Sequence, residues 1–288
     1  MTVAKRPPFK EVEASRPDFD DSYKLHYTKA PQPDFKPGGG LNNLECAKEF
    51  EPSNAKWRSI KPEEQDKPSL YKLMISAITP RPIAFMSTMS ADGTCNLAPM
   101  SYFNMVAHNP PTIMISIQAS AKNSNGLKDT SSNIDELKEF CCSIISEPFL
   151  EAANYTSIDA PLGVEEWALS GLTKRPSETV RPPHVAEAAF SMECSLVHWY
   201  EVKTDEGKLA NTVVLGRVKR FQAKEFLFDP SDPMKVQPEK LRAVSRLGGV
   251  TYGRTLQMSE LLRPNWEDVK DTPEVLAALE KGSKTLEQ

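Results

Sequence analysis

The chain has 288 residues, enough to bury a substantial core without disulfides or a structural metal. Its formal net charge is -4 at pH 7, which gives no reason to expect nucleic acid or an anionic membrane as a partner. Five cysteines without Cys-x-x-Cys spacing predict reduced thiols. The sequence shows neither a secretory signal nor a run of about 20 apolar residues, so we expect a cytoplasmic protein.

The two ends of the chain differ in composition from its middle. Residues 1–67 carry eight prolines, a Gly-Gly-Gly triplet and many charges, which favours an extended arm over a packed core. Residues 256–288 form a charged tail in which a solvated helix is expected after Asn265. The segment between them, 68–255, is predicted to be the folded domain.

Short apolar runs broken by turn residues follow the arm and predict β-strands. The first four are expected at 71–78, 83–89, 96–106 and 112–117. The sequence Ala-Asp-Gly at 91–93 supplies a hairpin turn, because glycine adopts a positive φ without steric cost. Strands that follow one another this closely indicate an antiparallel barrel or sandwich.

The sequence pattern changes from strand to helix near residue 129. Thr130 is predicted to be the N-cap of a short helix whose apolar residues are Ile134 and Leu137. Further along the chain, the pattern predicts a strand at 140–145, a helix at 151–158, and two long strands at 190–202 and 211–223.

Metal and hydrolase sites find no support in the sequence. The histidines are scattered without ligand spacing, at His26, His108, His184 and His198, so no metal site is predicted. A Gly-x-Ser-x-Gly elbow is absent, as is a Gly-x-Gly-x-x-Gly motif after a strand. The common hydrolase and Rossmann sites are therefore not expected.

A candidate anion site lies at the predicted start of the short helix, where Lys128, Asp129 and Thr130 follow one another. Unpaired backbone N–H groups and the positive end of the helix dipole attract an anion, and Lys128 adds a full charge. The same residues also suit a solvated lysine beside an ordinary helix cap. The pattern alone leaves both interpretations open.

Two further runs could surround a flat ligand. Residues 96–104 combine small residues, amides, a hydroxyl and two aromatics, which could approach a ring and satisfy its polar edges. Residues 79–84 enter a strand through two prolines and could present Arg81 to a ligand. An edge strand with a proline bend, and a stiff turn, explain the two runs equally well.

Taken in order, these runs resemble the FMN-binding flavin reductase-like family, which contains flavoredoxin and the small reductase components of two-component monooxygenases. The resemblance extends over about two thirds of the chain, roughly from Ser69 to Tyr252. Its matching segments are 79–85, 87–93, 96–104, 109–111, 128–130 with Asn133, and 163–167. Each segment is weak alone, but their order and spacing together are specific.

The resemblance implies a mainly β fold, a six-stranded antiparallel split β-barrel with a few short helices, here with extended N- and C-terminal arms. It also implies a homodimer with FMN at the subunit junction. By the same resemblance, Lys128, Asp129 and Thr130 hold the phosphate with help from Ser116, and Asn133 belongs to that motif. The implied ring and ribityl contacts are Asn96, Ala98, Pro99, Ser101, Tyr102, Phe103 and Asn104, with a further wall at Arg81, Pro82, Ile83 and Ala84.

The implied activity is an FMN oxidoreductase that takes hydride from NAD(P)H and passes electrons to a small-molecule acceptor or free flavin. Hydride transfer needs stacked rings and no protein acid or base, so no catalytic residue is assigned. Two alternatives remain, namely a non-catalytic FMN-binding module of the same fold and a pyridoxamine phosphate oxidase-like enzyme. The long arm and tail exceed the compact reductases, which leaves donor and acceptor undecided.

Overall fold

The structure is a computed structural model that describes residues 8–52, 56–161 and 164–282. The chain divides into two compact units, one formed by Arg58–Thr255 and the other by Met1–Trp57 together with Leu256–Gln288. Across the described residues, none of the helices combines the length and apolar character needed to cross a bilayer.

A seven-stranded antiparallel sheet dominates the larger unit. Its strands are β1 (Ala84–Met89), β2 (Cys95–Met100), β3 (Phe103–His108), β4 (Pro111–Gln118), β5 (Glu139–Ile144), β6 (Phe190–Lys203) and β7 (Leu209–Ala223). The order in the sheet is β2-β1-β5-β6-β7-β4-β3. The predicted mainly β class is therefore confirmed, whereas the predicted count of six strands is not.

The two edge strands of this sheet, β2 and β3, are consecutive in the chain. Only Ser101 and Tyr102 separate them, so the sheet must curl enough to bring these two edge strands near each other at this link. The backbone N–H of Ser116 on β4 donates to the carbonyl of Tyr102 at 2.8 Å. The run predicted as one strand at 96–106 breaks here, and the break gives the seven-stranded sheet its two edges.

One predicted strand is wrong, because residues 71–78 belong to a helix, α1 (Lys67–Ala77). The Asp66 side chain accepts a hydrogen bond from the backbone N–H of Ser69 at 2.7 Å, and Pro68 stands in the first turn. Both are helix-start signals just before the apolar run. The run forms a helix and not a core strand, because only Ile75 of this helix is buried.

Three more short helices lie around the sheet, α2 (Asp129–Leu137), α3 (Leu150–Tyr155) and α4 (Glu166–Ser170). The helix predicted to begin at Thr130 is present, but its N-cap is Lys128, which has extended backbone angles (φ -75°, ψ 158°). Thr130 therefore lies inside the first turn. The helix predicted at 151–158 is confirmed in part, since α3 ends at Tyr155.

Smaller elements complete the larger unit. Short strand pairs are Lys174–Arg175 with His184–Val185, Phe228–Asp229 with Asp232–Val236, and Val244–Arg246 with Tyr252–Arg254. A four-residue helix spans Pro238–Leu241, and 3-10 turns lie at Pro62–Glu64, Glu147–Phe149 and Glu225–Leu227.

The unit formed by the chain ends contains one parallel strand pair, His26–Thr28 with Gln257–Ser259. Its helical segments are Phe9–Ala14, Glu45–Phe50, Trp266–Val269 and Pro273–Gly282. The last two confirm the helix expected after Asn265.

The larger unit has two apolar clusters because alternate residues of a strand point to opposite faces of the sheet. On β1, Met86 joins a cluster that includes Ile115 and Phe140. Its neighbour Phe85 joins a second cluster that includes Phe149 and Trp167. The second cluster ties α4 to the sheet and thereby fixes one wall of the site described next.

Candidate functional site

A continuous cleft opens where β2 ends and α2 begins. Its first part, the polar pocket, is a cavity of about 160 Å³ lined by Asn96, Ala98, Pro99, Met100, Ser120, Lys122, Asn123, Lys128, Asp129, Thr130, Thr156, Ser157, Ile158, Asp159, Ala160 and Glu166. Its second part, the aromatic pocket, is a cavity of about 320 Å³ lined by Tyr71, Ile83, Pro99, Met100, Ser101, Tyr102, Ser116, Gln118, Lys128, Asn154, Ser157, Asn211, Arg246 and Tyr252. Four shared residues, Pro99, Met100, Lys128 and Ser157, join the two parts.

The first turn of α2 forms the floor of the polar pocket. Side chains of this turn are bonded to three strands, through Asn96 Nδ2 to Thr130 Oγ1 (2.9 Å), Ser131 Oγ with Thr212 Oγ1 (2.9 Å) and Asn133 Nδ2 to Thr88 Oγ1 (3.0 Å). Because all six residues are buried, these bonds hold the turn firmly against the sheet. The unpaired N–H groups of the helix start are thus directed at a fixed place.

Charged side chains ring the polar pocket. Lys128 is exposed at the helix start and lines both pockets. Lys122 forms an ion pair with Asp159, and this contact lowers the pKa of the Asp159 carboxyl. Asn123 Nδ2 donates to the Leu127 carbonyl at 2.6 Å and to Asp129 Oδ1 at 3.2 Å, which orders the loop before the helix.

Glu166 is the most buried carboxyl of the polar pocket, with 8% of its surface exposed. Its Oε2 accepts a hydrogen bond from the Leu97 backbone N–H at 3.3 Å. Burial raises the pKa of Glu166, and the negative charges of Asp129 and Glu165 raise it further. Glu165 differs, because its ion pair with Lys174 at 2.8 Å lowers its pKa.

Three tyrosines and an arginine shape the aromatic pocket. The Arg246 guanidinium lies over the Tyr252 ring at 4.5 Å, and the Tyr252 hydroxyl donates to Asn154 Oδ1 at 2.8 Å. Burial raises the pKa of Tyr102 and of Tyr252, so both phenols are neutral near pH 7. Flat, uncharged ring walls with polar edges suit a planar ligand.

A third cavity of about 320 Å³, the apolar pocket, lies beyond Tyr102. Its lining is Met74, Ile75, Ile78, Pro80, Arg81, Pro82, Ser101, Tyr102, Phe103, Asn104 and Met114. The Arg81 guanidinium donates to the carbonyls of Ile75 (2.7 Å), Ile78 (2.6 Å) and Leu247 (3.0 Å). Arg81 thus connects α1 to the domain, and its charge is already hydrogen-bonded to protein.

The structure divides the residues predicted to bind the cofactor into three groups. The cleft brings together Ile83, Asn96, Ala98, Pro99, Ser101, Tyr102, Ser116, Lys128, Asp129 and Thr130. The apolar pocket holds Arg81, Pro82, Phe103 and Asn104 and shares Ser101 and Tyr102 with the cleft. Ala84 is fully buried in the core and Asn133 bonds to Thr88, so neither lines a described pocket. Gly163 of the family motif lies outside the described residues.

Sequence reasoning missed several residues of the cleft. Tyr71 was assigned to a strand, and Arg246 and Tyr252 lie where the apolar pattern becomes weak. Glu166 was noted only as part of a family motif. The helix-start signal at Asp66 and Pro68 would have placed Tyr71 in a helix. No local sequence feature indicates that Arg246 and Tyr252 share a pocket with residues about 150 positions earlier in the chain.

Similarity to known proteins extends over most of the region of the chain that forms the cleft. Residues 76–242 match the family model described as "Flavin reductase like domain". The chain belongs to the flavin reductase-like family. An uncharacterized protein of Halalkalibacterium halodurans is 35% identical over 205 residues, which cover 71% of this chain and 96% of that protein.

Two crystal structures share both fold and sequence with this family member. Nitrilotriacetate monooxygenase component B from Bacillus cereus has a TM-score of 0.66 and 36% identity, covering 73% of this chain and 100% of that one. The 2-nitrobenzoate 2-nitroreductase NbaA of Pseudomonas fluorescens has a TM-score of 0.64 and 26% identity, covering 73% and 98%. This chain is thus a flavin-related oxidoreductase whose arm and tail exceed these relatives.

Proposed function

We propose that this protein binds FMN non-covalently in the cleft and is an NAD(P)H-dependent FMN oxidoreductase. The observation that carries the proposal is the meeting of Lys128 and Thr130 with residues 96–102 in one cleft. The helix start, Lys128 and the Thr130 hydroxyl form a donor set that suits a phosphate. The tyrosine-lined pocket beside it suits the flat ring of the flavin.

In this proposal, the residues of the cleft bind FMN, orient it and keep water from its ring. When bound, FMN supplies a ring that accepts hydride from a reduced nicotinamide. Ala98 and Pro99 lack polar side chains, so the backbone of β2 can approach the ring closely. Ser116 Oγ, which accepts from Asn211 Nδ2 at 3.1 Å, keeps its own hydroxyl hydrogen for a ligand oxygen.

The acceptor is proposed to be a small molecule or free flavin. The relatives named above include a monooxygenase component and a nitroreductase, so the family serves more than one acceptor. Nucleic acid and membranes are not proposed as partners, since the chain carries a modest negative charge.

An anaerobic absorbance spectrum tests the proposal. Purified protein, as isolated or with added FMN, should show flavin bands that bleach when NADH or NADPH is added. Protein that fails to bind FMN would refute it. Bound flavin that only dithionite reduces would identify a non-catalytic binding module, and turnover of pyridoxamine phosphate would identify the related oxidase branch.

A further inference from the structure

Glu166 lies on the wall of the polar pocket in which the phosphate is proposed to bind. It is almost fully buried on the wall of the polar pocket, which Asn96, Lys128, Asp129 and Thr130 also line. Burial of a carboxylate without a cationic partner is costly, and within the described residues the hydrogen bond that reaches Glu166 from another residue comes from the Leu97 N–H. A buried acid in this position needs a functional explanation.

The charges around Glu166 do not balance when it is ionised. Asp129 on α2 and Glu165, the residue just before α4, both act on it with negative charges. Glu165 is paired with Lys174, and the Lys122–Asp159 pair across the pocket is neutral overall. Among the residues that line the polar pocket, the positive charge of Lys128 then offsets the negative charge of Asp129. An ionised Glu166 therefore leaves the pocket with a net charge of about -1.

A phosphate group brings about -1.5 to -2 further charges into this pocket at pH 7. Asp129 stands in the first turn of α2, where the helix dipole stabilises a carboxylate, and it accepts a bond from Asn123. Glu166 is more deeply buried, so it is the carboxyl that should take up a proton. Once protonated, it offers an O–H donor and no longer repels the ligand.

We propose that Glu166 is protonated in the flavin complex, donates a hydrogen bond to the ribityl-phosphate part of the ligand, and thereby couples flavin binding to proton uptake. This inference rests on the proposed function. The pKa of Glu166 is raised, which agrees with this proposal, because a carboxyl with a raised pKa still holds its proton at a higher pH. The protonated carboxyl is the form that favours FMN binding. Affinity for FMN should therefore fall as pH rises through this pKa.

The experiment is a titration of the full-length protein with FMN from pH 5.5 to 8.5, followed by flavin fluorescence. For the wild type, the Kd should rise by up to about tenfold per pH unit, the limit for one coupled proton. Calorimetry in two buffers of different ionisation enthalpy should show that the wild type takes up more protons than Glu166→Gln. That variant keeps a neutral donor, so it should bind FMN with a flatter pH dependence.

Glu165→Gln is the matched control, because it removes the neighbouring carboxylate and leaves Glu166 in place. Its Kd should still rise with the wild-type slope, displaced to lower pH because the charge of Glu165 helps to raise the pKa of Glu166. The proposal is overturned if Glu166→Gln keeps that slope, or if wild type and variant take up equal numbers of protons. Should Glu166→Gln fail to fold by circular dichroism, the wild-type calorimetry decides, and absence of proton uptake overturns the proposal. Absence of FMN binding at every pH would instead reject the proposed function itself.

Discussion

At the scale of single residues, few side chains supply positive charge to the polar pocket, and Lys128 is one of them. Lys128 occupies the N-cap position of α2 with extended backbone and lines both pockets of the cleft. Of the four residues that the pockets share, it is the one with a charged side chain.

We predict that Lys128→Ala weakens FMN binding. Loss of a charge-assisted hydrogen bond to phosphate costs about 1.5 to 3 kcal/mol, which is roughly 10- to 150-fold in Kd. Fluorescence titration measures the change, and Lys138→Ala at the other end of the same helix is the control. An unchanged Kd for Lys128→Ala would show that the phosphate binds elsewhere.

A second residue-scale prediction concerns His184, which is 5% exposed and has neither ring nitrogen hydrogen-bonded within the described part of the chain. Burial, helped by the positive charge of Arg175, lowers its pKa. In the unfolded chain a histidine has a pKa of about 6.5. The contribution of His184 to stability is thus fully present above that value and is lost as pH falls toward its folded pKa.

Urea unfolding at pH 7.5 and pH 5 checks this effect. The free energy of unfolding of His184→Phe should fall less between the two pH values than that of the wild type. His198→Phe, at an exposed histidine, is the control for the substitution itself. Equal losses in wild type and His184→Phe would contradict the assignment.

At the scale of elements, close packing constrains which side chains the strands of the sheet can carry. Gly216 on β7 lies against the Phe140 ring of β5, and a Cβ added there would meet the ring Cζ at 2.2 Å. Phe140 is fully buried in the cluster with Met86, so its ring has no room to withdraw. A glycine is required here by the close approach of a side chain.

Gly216→Ala should therefore destabilise the protein. Overpacking of a filled core costs about 1–3 kcal/mol, measured as a fall in the free energy of unfolding. Gly282→Ala is the matched control, because the same methyl group there meets nothing within 4 Å. A Gly216→Ala variant as stable as the control would contradict this prediction, because it would show that Phe140 can make room for the added methyl group.

At the scale of the whole molecule, the homodimer implied by the family remains a prediction. Large apolar side chains are exposed on two strands of the sheet, at Val197, Tyr200 and Val202 on β6 and at Met105 and Val106 on β3. Exposed apolar surface of this kind often marks a protein–protein interface.

Analytical ultracentrifugation should give twice the chain mass of 32.1 kDa. A charge among the exposed apolar residues of β6 should shift the equilibrium toward monomer, so Tyr200→Lys is the test variant. Lys203→Glu, farther along the same strand, serves as a control for added charge. A wild-type protein that sediments as a monomer would refute the dimer.

Local sequence patterns suffice for most strands of the large sheet and for the family. Most boundaries predicted for these strands lie within two residues of the observed ones, because alternating apolar residues and turn glycines act locally. The ordered motifs at 79–85, 96–104 and 128–130 indicate the flavin reductase-like family, and the family match confirms it.

Only the tertiary structure decided which residues share a pocket. It withdrew Ala84 and Asn133 into packing, bound Arg81 to backbone carbonyls, and brought Glu166, Arg246 and Tyr252 to the cleft. It also made a helix of 67–77, where the apolar run alone predicted a strand. The physical reason is that strand propensity is a local property, whereas burial and the meeting of distant residues depend on how the strands and helices pack together.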